Sequence, residues 1–306
     1  MSRFKQCALT LVLVMIFGGC EAEEVSSPGQ RIVAIGDIHA DIGAARAAFQ
    51  LAGAIDANDH WIGGDLIVVQ LGDLIGRSYE EREVLDFALA VKERAAAAGG
   101  NVYFLIGNHE VFGAEMELRW VADEAYAGYE NIEGLNVEAS HIAELPAEKR
   151  ARTAALSPGA IYAASFANFS AVLQLGDTIF AHGGVTPIWA EYGIDRINDE
   201  VSQWFAGTTE QPAPVLGRDP RHLDDNVTMS RHFATEVGDE ECALLDESLE
   251  IIGAKRMIVA HTVQDTITSY CDEKVWAIDV GMSRFYGGNI EVLELIDDEV
   301  TAVLRR

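Results

Sequence analysis

Basic residues are scarce in this chain of 306: 22 Lys and Arg stand against 49 Asp and Glu, giving a formal charge of −27. A protein that tracks a nucleic-acid backbone needs clustered cations, so phosphate-backbone binding over a broad surface is excluded. The acidic surplus reads as a solvated surface, and an anionic substrate must then be captured by a local positive site working against the global field. Cysteine is also rare, at 4 residues. Cys7 lies in an N-terminal apolar segment. Cys242 and Cys271 remain as two thiols that an oxidising compartment would allow to pair, at positions whose proximity the sequence does not show. No fixed-period repeat and no low-complexity tract is present, which removes solenoid and disordered classes. The apolar run Ala8–Phe17 is too short to cross a bilayer and reads as the core of an export signal.

Arg3 and Lys5 precede that run, and Gly18 and Gly19 lead from it to Cys20. Small residues directly before a cysteine resemble a bacterial lipoprotein signal. The resemblance implies removal of residues 1–19, a lipid on Cys20, and an exported, membrane-anchored protein in the periplasm or at the cell surface. Ordinary signal cleavage or an uncleaved anchor are the alternatives. Residues 20–30, with Ser26, Ser27, Pro28 and Gly29, then read as a flexible tether, and residues 31–306 as the folded domain.

Within that domain one pattern recurs. Short apolar runs end abruptly in polar residues: RIVAI (31–35) in Gly36-Asp37-Ile38-His39, LIVVQL (66–71) in Gly72-Asp73, NVYFLI (101–106) in Gly107-Asn108-His109-Glu110, TIFA (178–181) in His182-Gly183-Gly184, and RMIVA (256–260) in His261-Thr262. Near-continuous apolar runs of this length are what strands covered on both faces look like. Helical patterns lie between them. Asp41 is placed to cap a helix reaching about Ala52, and Glu80–Ala98 carries an apolar stripe ended by Gly99-Gly100. Strand–helix alternation implies an α/β domain with its site at the carboxyl ends of the strands. Residues 113–170, with Trp120, Tyr126 and Tyr129 but few strand signals, read as an α-helical insertion over that site. VWAIDV (275–280) and IEVLELI (290–296) read as closing strands around a Gly-rich loop, Gly281–Gly288. DEECALLDESLE (239–250) reads as a solvated acidic helix.

Four of the 8 histidines follow these strands directly, together with Asp37, Asp73 and Asn108. Buried polar groups need partners and buried carboxylates need counter-charge, and a pair of divalent ions supplies both. Oxygen and imidazole donors suit manganese, iron or zinc. His60, His141, His222 and His232 lack the strand-end context and are assigned no role.

In order and spacing, G-D-x-H (36–39), G-D-x-x-x-R (72–77), G-N-H-E (107–110), H-G-G (182–184) and H-T (261–262) resemble the motif series of calcineurin-like metallophosphoesterases. GNHEVFG, FAHGGVTP, YGIDRINDEV and WAIDVGMSRFYGG resemble its Shewanella-like phosphoprotein phosphatases. The resemblance spans roughly residues 31–296. It implies a central β-sandwich flanked by helices, with the helical insertion over the site. It implies one ion held by Asp37, His39 and Asp73 and a second by Asp73, Asn108, His182 and His261, manganese first among the candidates. Two ions roughly 4 Å apart lower the pKa of a shared water, so that hydroxide attacks phosphorus in line. Planar guanidinium groups match phosphoryl oxygens: Arg77 fits that role by motif and Arg231 as a second arginine, alongside Asn108. His109 is the implied general acid, and Glu110 a structural residue. The competing reading of Arg77 is a surface ion pair with Glu80 or Glu81.

Gly76 departs from the family, where an aspartate usually orients the catalytic histidine. Without that carboxylate the imidazolium is less favourable and acid catalysis weaker. Phenolic leaving groups need less protonation than alkyl alcohols, so aryl or tyrosine phosphates are expected over serine phosphates. The sequence therefore reads as an exported dimetal phosphomonoesterase acting on phosphoproteins. A nucleotide or other small phosphate ester is the alternative substrate, and a metal-binding module with decayed catalysis the alternative class.

Overall fold

The computed structural model describes residues 29–217 and 224–306. The signal, Cys20, most of the tether and His222 lie outside the described residues. Among the described residues no helix is long and apolar enough to cross a membrane.

Branched apolar runs become strands where both faces can be covered. Arg31–Ile35 (β1) is buried beyond its first residue, and Ile67–Gln70 (β2) pairs with it in parallel, Ile32 opposite Ile67 and Ile35 opposite Gln70. Asn101–Phe104 (β3) adds to β2, again in parallel. On the other edge Glu291–Ile296 (β9) runs antiparallel to β1 and Glu299–Arg305 (β10) antiparallel to β9, completing one five-stranded sheet in the order β10-β9-β1-β2-β3. The second sheet repeats the design. Thr178–Ala181 (β5), Arg256–Val259 (β6) and Val275–Ala277 (β8) are parallel, flanked by antiparallel Val172–Leu175 (β4) and Thr268–Tyr270 (β7) in the order β4-β5-β6-β8-β7. One continuous apolar core joins both sheets and the helices around them.

Helices supply the crossovers. Ile42–Leu51 (α1) begins where the Asp41 side chain accepts the Ala44 amide at 3.0 Å. Glu81–Ala98 (α2) buries Val84, Leu85, Ala88 and Val91 and ends at left-handed Gly99. Asn108–Ala114 (α3) begins within the third strand-end motif. The insertion is helical, as expected: a 3-10 turn over Asp123–Tyr129, then Ser140–Ala143 (α4), Ala147–Leu156 (α5) and Ile161–Phe166 (α6). Pro187–Tyr192 (α7), Ile194–Phe205 (α8) and Asp239–Ile252 (α9) lie between β5 and β6.

Two expectations need correction. Strand β8 stops at Ala277, so Ile278–Val280 lies beyond its end and reaches toward the site. The acidic segment 239–250 does form a helix, but one with an inner side: Leu245, Ser248 and Leu249 are buried, and Cys242 is joined to Cys271 by a disulfide.

Candidate active site

The loops after β1 and β2 are zipped together: the Ile38 and His39 amides donate to the Asp73 carbonyl at 3.1 and 2.8 Å, and the Ala40 amide to the Leu74 carbonyl at 2.8 Å. The ends of β2 and β3 abut through glycine. A Cβ on Gly72 (φ +94°) would lie 2.5 Å from the Gly107 amide nitrogen, so a side chain there is sterically barred. His39, Asp73, Arg77 and His261 all adopt left-handed backbone, with φ of 48°, 55°, 68° and 65°. Such conformations cost about 1–3 kcal/mol each and persist only where their surroundings impose them.

Glu110 imposes much of this. Fully buried, it accepts the Gly107 and Asp73 amides on Oε2 and the Leu74 amide on Oε1, each at 2.9 Å. Burial and the neighbouring Asp73 push its carboxyl up to about 7 despite those amides. It touches the loop rather than an open space, in keeping with a structural role.

Asp73 stands at the centre. Its Oδ1 accepts the His109 amide at 2.8 Å. Its Oδ2 lies 3.4 Å from His182 Nε2, 3.7 Å from His39 Nε2 and 4.0 Å from His109 Nε2. Burial pushes its carboxyl up, but His182, His109 and His39 outweigh this and hold it well below the usual range. Asp37 Oδ2 is 3.5 Å from His39 Nε2. His182 donates from Nδ1 to the Leu71 carbonyl at 2.7 Å, which aims Nε2 at Asp73 and at Asn108 Oδ1, 3.1 Å away. Burial disfavours the His182 cation, but Asp73 and Asp37 reverse this and raise it to about 10. His261, lowered by burial and by His182 and Arg231, keeps a buried Nε2 with no hydrogen-bond partner.

Two sets of donor atoms lie mutually within 4.8 Å: Asp73, His182 and His261, and His39, Asp73 and His109. Asp73 belongs to both. Of the six motif residues expected as ligands, His39, Asp73, His182 and His261 fall in these sets, with His109 rather than Asp37 completing the set around His39. Asp37 and Asn108 lie next to them, 3.5 Å from His39 and 3.1 Å from His182. Carboxylate and imidazole donors with an orphaned Nε2 are what divalent ions satisfy. The donor set fits.

His109 lies edge-on to His39 at 4.7 Å between ring centroids. Its Nδ1 faces Gly76 so closely that a Cβ there would lie 1.9 Å away. Burial lowers His109 to about 3, only partly offset by Asp73.

Arg77 makes no ion pair with Glu80 or Glu81. Glu80 is 2.6 Å from Arg284, and Glu81 accepts Arg152 Nη2 at 3.0 Å. The Arg77 guanidinium instead lies 4.4 Å from the Trp120 ring centroid, 5.4 Å from Phe285 and 5.9 Å from Tyr286, with its buried Nε free of hydrogen bonds. Arg231 donates to Thr262 Oγ1 at 2.9 Å, which sets it beside His261.

The family model described as calcineurin-like phosphoesterase matches residues 30–265. The chain belongs to that family. Shewanella-like protein phosphatase 2 of Arabidopsis thaliana is 35% identical over 302 residues, covering 88% of this chain and 76% of the relative. Shewanella-like protein phosphatase 1 of Plasmodium berghei (strain Anka) is 26% identical over 287 residues, covering 90% and 74%. A solved cold-active protein-tyrosine phosphatase of a psychrophilic Shewanella shares the fold, with a TM-score of 0.66 at 21% identity over 90% of this chain and 78% of that one. This calcineurin-like phosphoesterase is a metal-dependent phosphatase with two mixed sheets flanked by helices.

Part of the surroundings left little trace in the sequence. The aromatic rim of Trp120, Phe285 and Tyr286 had no periodic signal. Asp279 did have one, a polar residue just past an apolar strand, the same signal that marked Asp37 and His261. His60 and His232 lie 3.2 and 3.6 Å from Asp56 and Asp225, away from the donor cluster, and His141 lines a cavity of about 620 Å³ within the insertion.

Proposed function

We propose that this phosphatase cleaves phosphate monoesters on proteins and favours phosphotyrosine over phosphoserine. The observation that carries the preference is the Gly76–His109 contact. The position facing His109 Nδ1 holds no carboxylate and, at 1.9 Å for a Cβ, no room for one in this ring position. An imidazole without an orienting carboxylate is a weaker acid catalyst, and general acid help is typically worth about 10²–10⁴-fold. A phenolate leaves with less protonation than an alkoxide, so aryl esters lose less. The three rim aromatics support the same reading, since an aryl group beside Arg77 would meet rings rather than water.

Asp37, His39 and Asp73 would hold one divalent ion and Asp73, Asn108, His182 and His261 the other, Asp73 serving both. Manganese suits these oxygen and nitrogen donors, with iron and zinc as alternatives. Ions bound there supply Lewis acidity and an activated water. The chain's own residues do the rest. Arg77, stacked on Trp120 and free at Nε, offers a cation to the phosphoryl oxygens. Arg231, beside His261 and Thr262, and Asn108, beside His182, would add further donors. His109, packed against His39 and Phe112, would protonate the leaving oxygen. Because burial lowers it to about 3, it is mostly neutral near pH 7 and a weak donor, the loss that a phenolate tolerates best. Matched phosphotyrosine and phosphoserine peptides test the reading: kcat/KM should favour phosphotyrosine at least tenfold, and equal values remove the preference. Turnover of nucleotides without turnover of peptides reassigns the substrate to small phosphate esters. No hydrolysis of p-nitrophenyl phosphate reduces the protein to a metal-binding module.

The localisation belongs to the same proposal. The N-terminal charge, apolar run and Cys20 support export with lipid anchoring, and the Cys242–Cys271 disulfide suits an oxidising compartment. Cys20→Ser should release the protein from the membrane fraction.

A further inference from the structure

Asp279 is a carboxylate to which the mechanism above gives no part. It follows β8 as Asp37 follows β1, and it is 1% exposed. Its Oδ1 accepts the Gly281 amide at 2.9 Å and its carbonyl the Gln264 amide at 2.8 Å. Its Oδ2 is buried without any hydrogen-bond partner. The ends of β1 and β8 are pressed together here. A Cβ on Gly36 would fall 2.7 Å from the Ile278 carbonyl oxygen and 3.1 Å from the Asp279 Cα. That contact sets Asp279 beside Asp37, and the charged groups acting on it are Asp37, His39 and His182.

No Lys or Arg hydrogen-bonds to Asp279 among the described residues. Two adjacent buried carboxylates repel, and only the imidazoles of His39 and His182 offset them. Burial and Asp37 outweigh those imidazoles and push the Asp279 carboxyl up to about 8. Packing alone would be served better by an apolar residue. A divalent ion on the Asp37–His39 side relieves both carboxylates at once.

We propose that Asp279 is a positioning residue of the cation site: a carboxylate behind Asp37 and His39 whose charge tightens divalent-ion binding on that side. It is outside both sets of close donor atoms, so it acts through the ligands and the field rather than as a ligand. Groups of this kind typically change metal affinity about 10–100-fold. The inference rests on the dimetal reading, and its test separates the two.

The experiment is calorimetric titration of Mn²⁺ into metal-stripped full-length protein, with thermal melts before and after loading. Asp279→Asn keeps the side-chain volume and an acceptor for the Gly281 amide, and Asp279→Ala removes both. The expected result has three parts. One of two Mn²⁺ affinities falls at least tenfold in both variants and the other stays. The metal-free Asn variant melts at or above the wild type. Its gain in melting temperature on loading is smaller than the wild type's. Unchanged affinity at both sites overturns the proposal. So does a metal-free Asn variant that melts lower with unchanged affinity, or failure of both variants to fold, since either makes Asp279 a structural residue. A wild type that binds no divalent ion overturns the dimetal reading itself and this inference with it.

Discussion

Two clusters of buried charge meet at Gly76, and they are built on opposite principles. On one side Glu81 and Arg152, 0% and 1% exposed, face each other as one anion and one cation. Glu81 also accepts the Gly76 amide at 3.0 Å and the Tyr129 hydroxyl at 3.2 Å. Charge is balanced there, and a single nitrogen, Arg152 Nη1, is left without a partner. This cluster fastens the helical insertion, through α5, to the first turn of α2. On the other side Asp37, Asp73 and Asp279 crowd against imidazoles, none of the three ion-paired with a lysine or arginine among the described residues, and His261 Nε2 and Asp279 Oδ2 are left over. Burial alone therefore does not identify a site. What separates the two is whether the chain closes its own electrostatics. The first cluster is complete without a visitor, and the second is not.

Substitutions on the two sides should fail differently. The largest effect belongs to Asp73→Asn, which removes the negative charge of the shared ligand while keeping its shape. Hydrolysis of p-nitrophenyl phosphate should fall by on the order of 10³-fold, with circular dichroism showing the fold retained. A melt that collapses instead would erase the contrast, making the second cluster as structural as the first. Next comes Glu81→Gln, which strands Arg152. Urea unfolding should show a loss of about 3–5 kcal/mol, and the double variant Glu81→Gln/Arg152→Met should recover much of it. Arg77→Ala follows, with kcat/KM lower by about 10²-fold and unfolding unchanged, since its guanidinium has no ion-pair partner to strand. The smallest effect is that of Tyr286→Ala at the rim. It should raise KM for aryl phosphates by about 0.5–1.5 kcal/mol of lost ring contact and leave alkyl phosphates untouched. Equal losses on both ester types would take the rim out of substrate recognition.

The open cluster was largely legible in the sequence because its residues sit just past strands that are covered on both faces. Such strands read as unbroken apolar runs, and a polar residue at their end stands out. Ile35 before Asp37 and Ala181 before His182 show this directly. The closed cluster left no such trace. Glu81 and Arg152 are 71 residues apart, each on a helix where a charge is ordinary, and only tertiary packing makes them a pair. Strands β4, β7 and β10 were missed for a related reason: they sit at sheet edges, where partly exposed sequences such as TSY (268–270) carry no apolar run. Asp279 was within reach but was absorbed into the expected strand 275–280, which put it inside a strand rather than beyond its end.

Strand β1, whose end carries Asp37 and His39, lies between β2 and β9, so its neighbours come from opposite ends of the chain. A growing polypeptide has made all six motif ligands by residue 261, yet β1 remains an unpaired edge on one side until residues 291–296 emerge. Such long-range pairing is slow to form because the intervening chain must first be closed. A nascent molecule would thus carry every ligand without a finished site, and would acquire its metals and its hydrolytic power together, after the last hairpin docks.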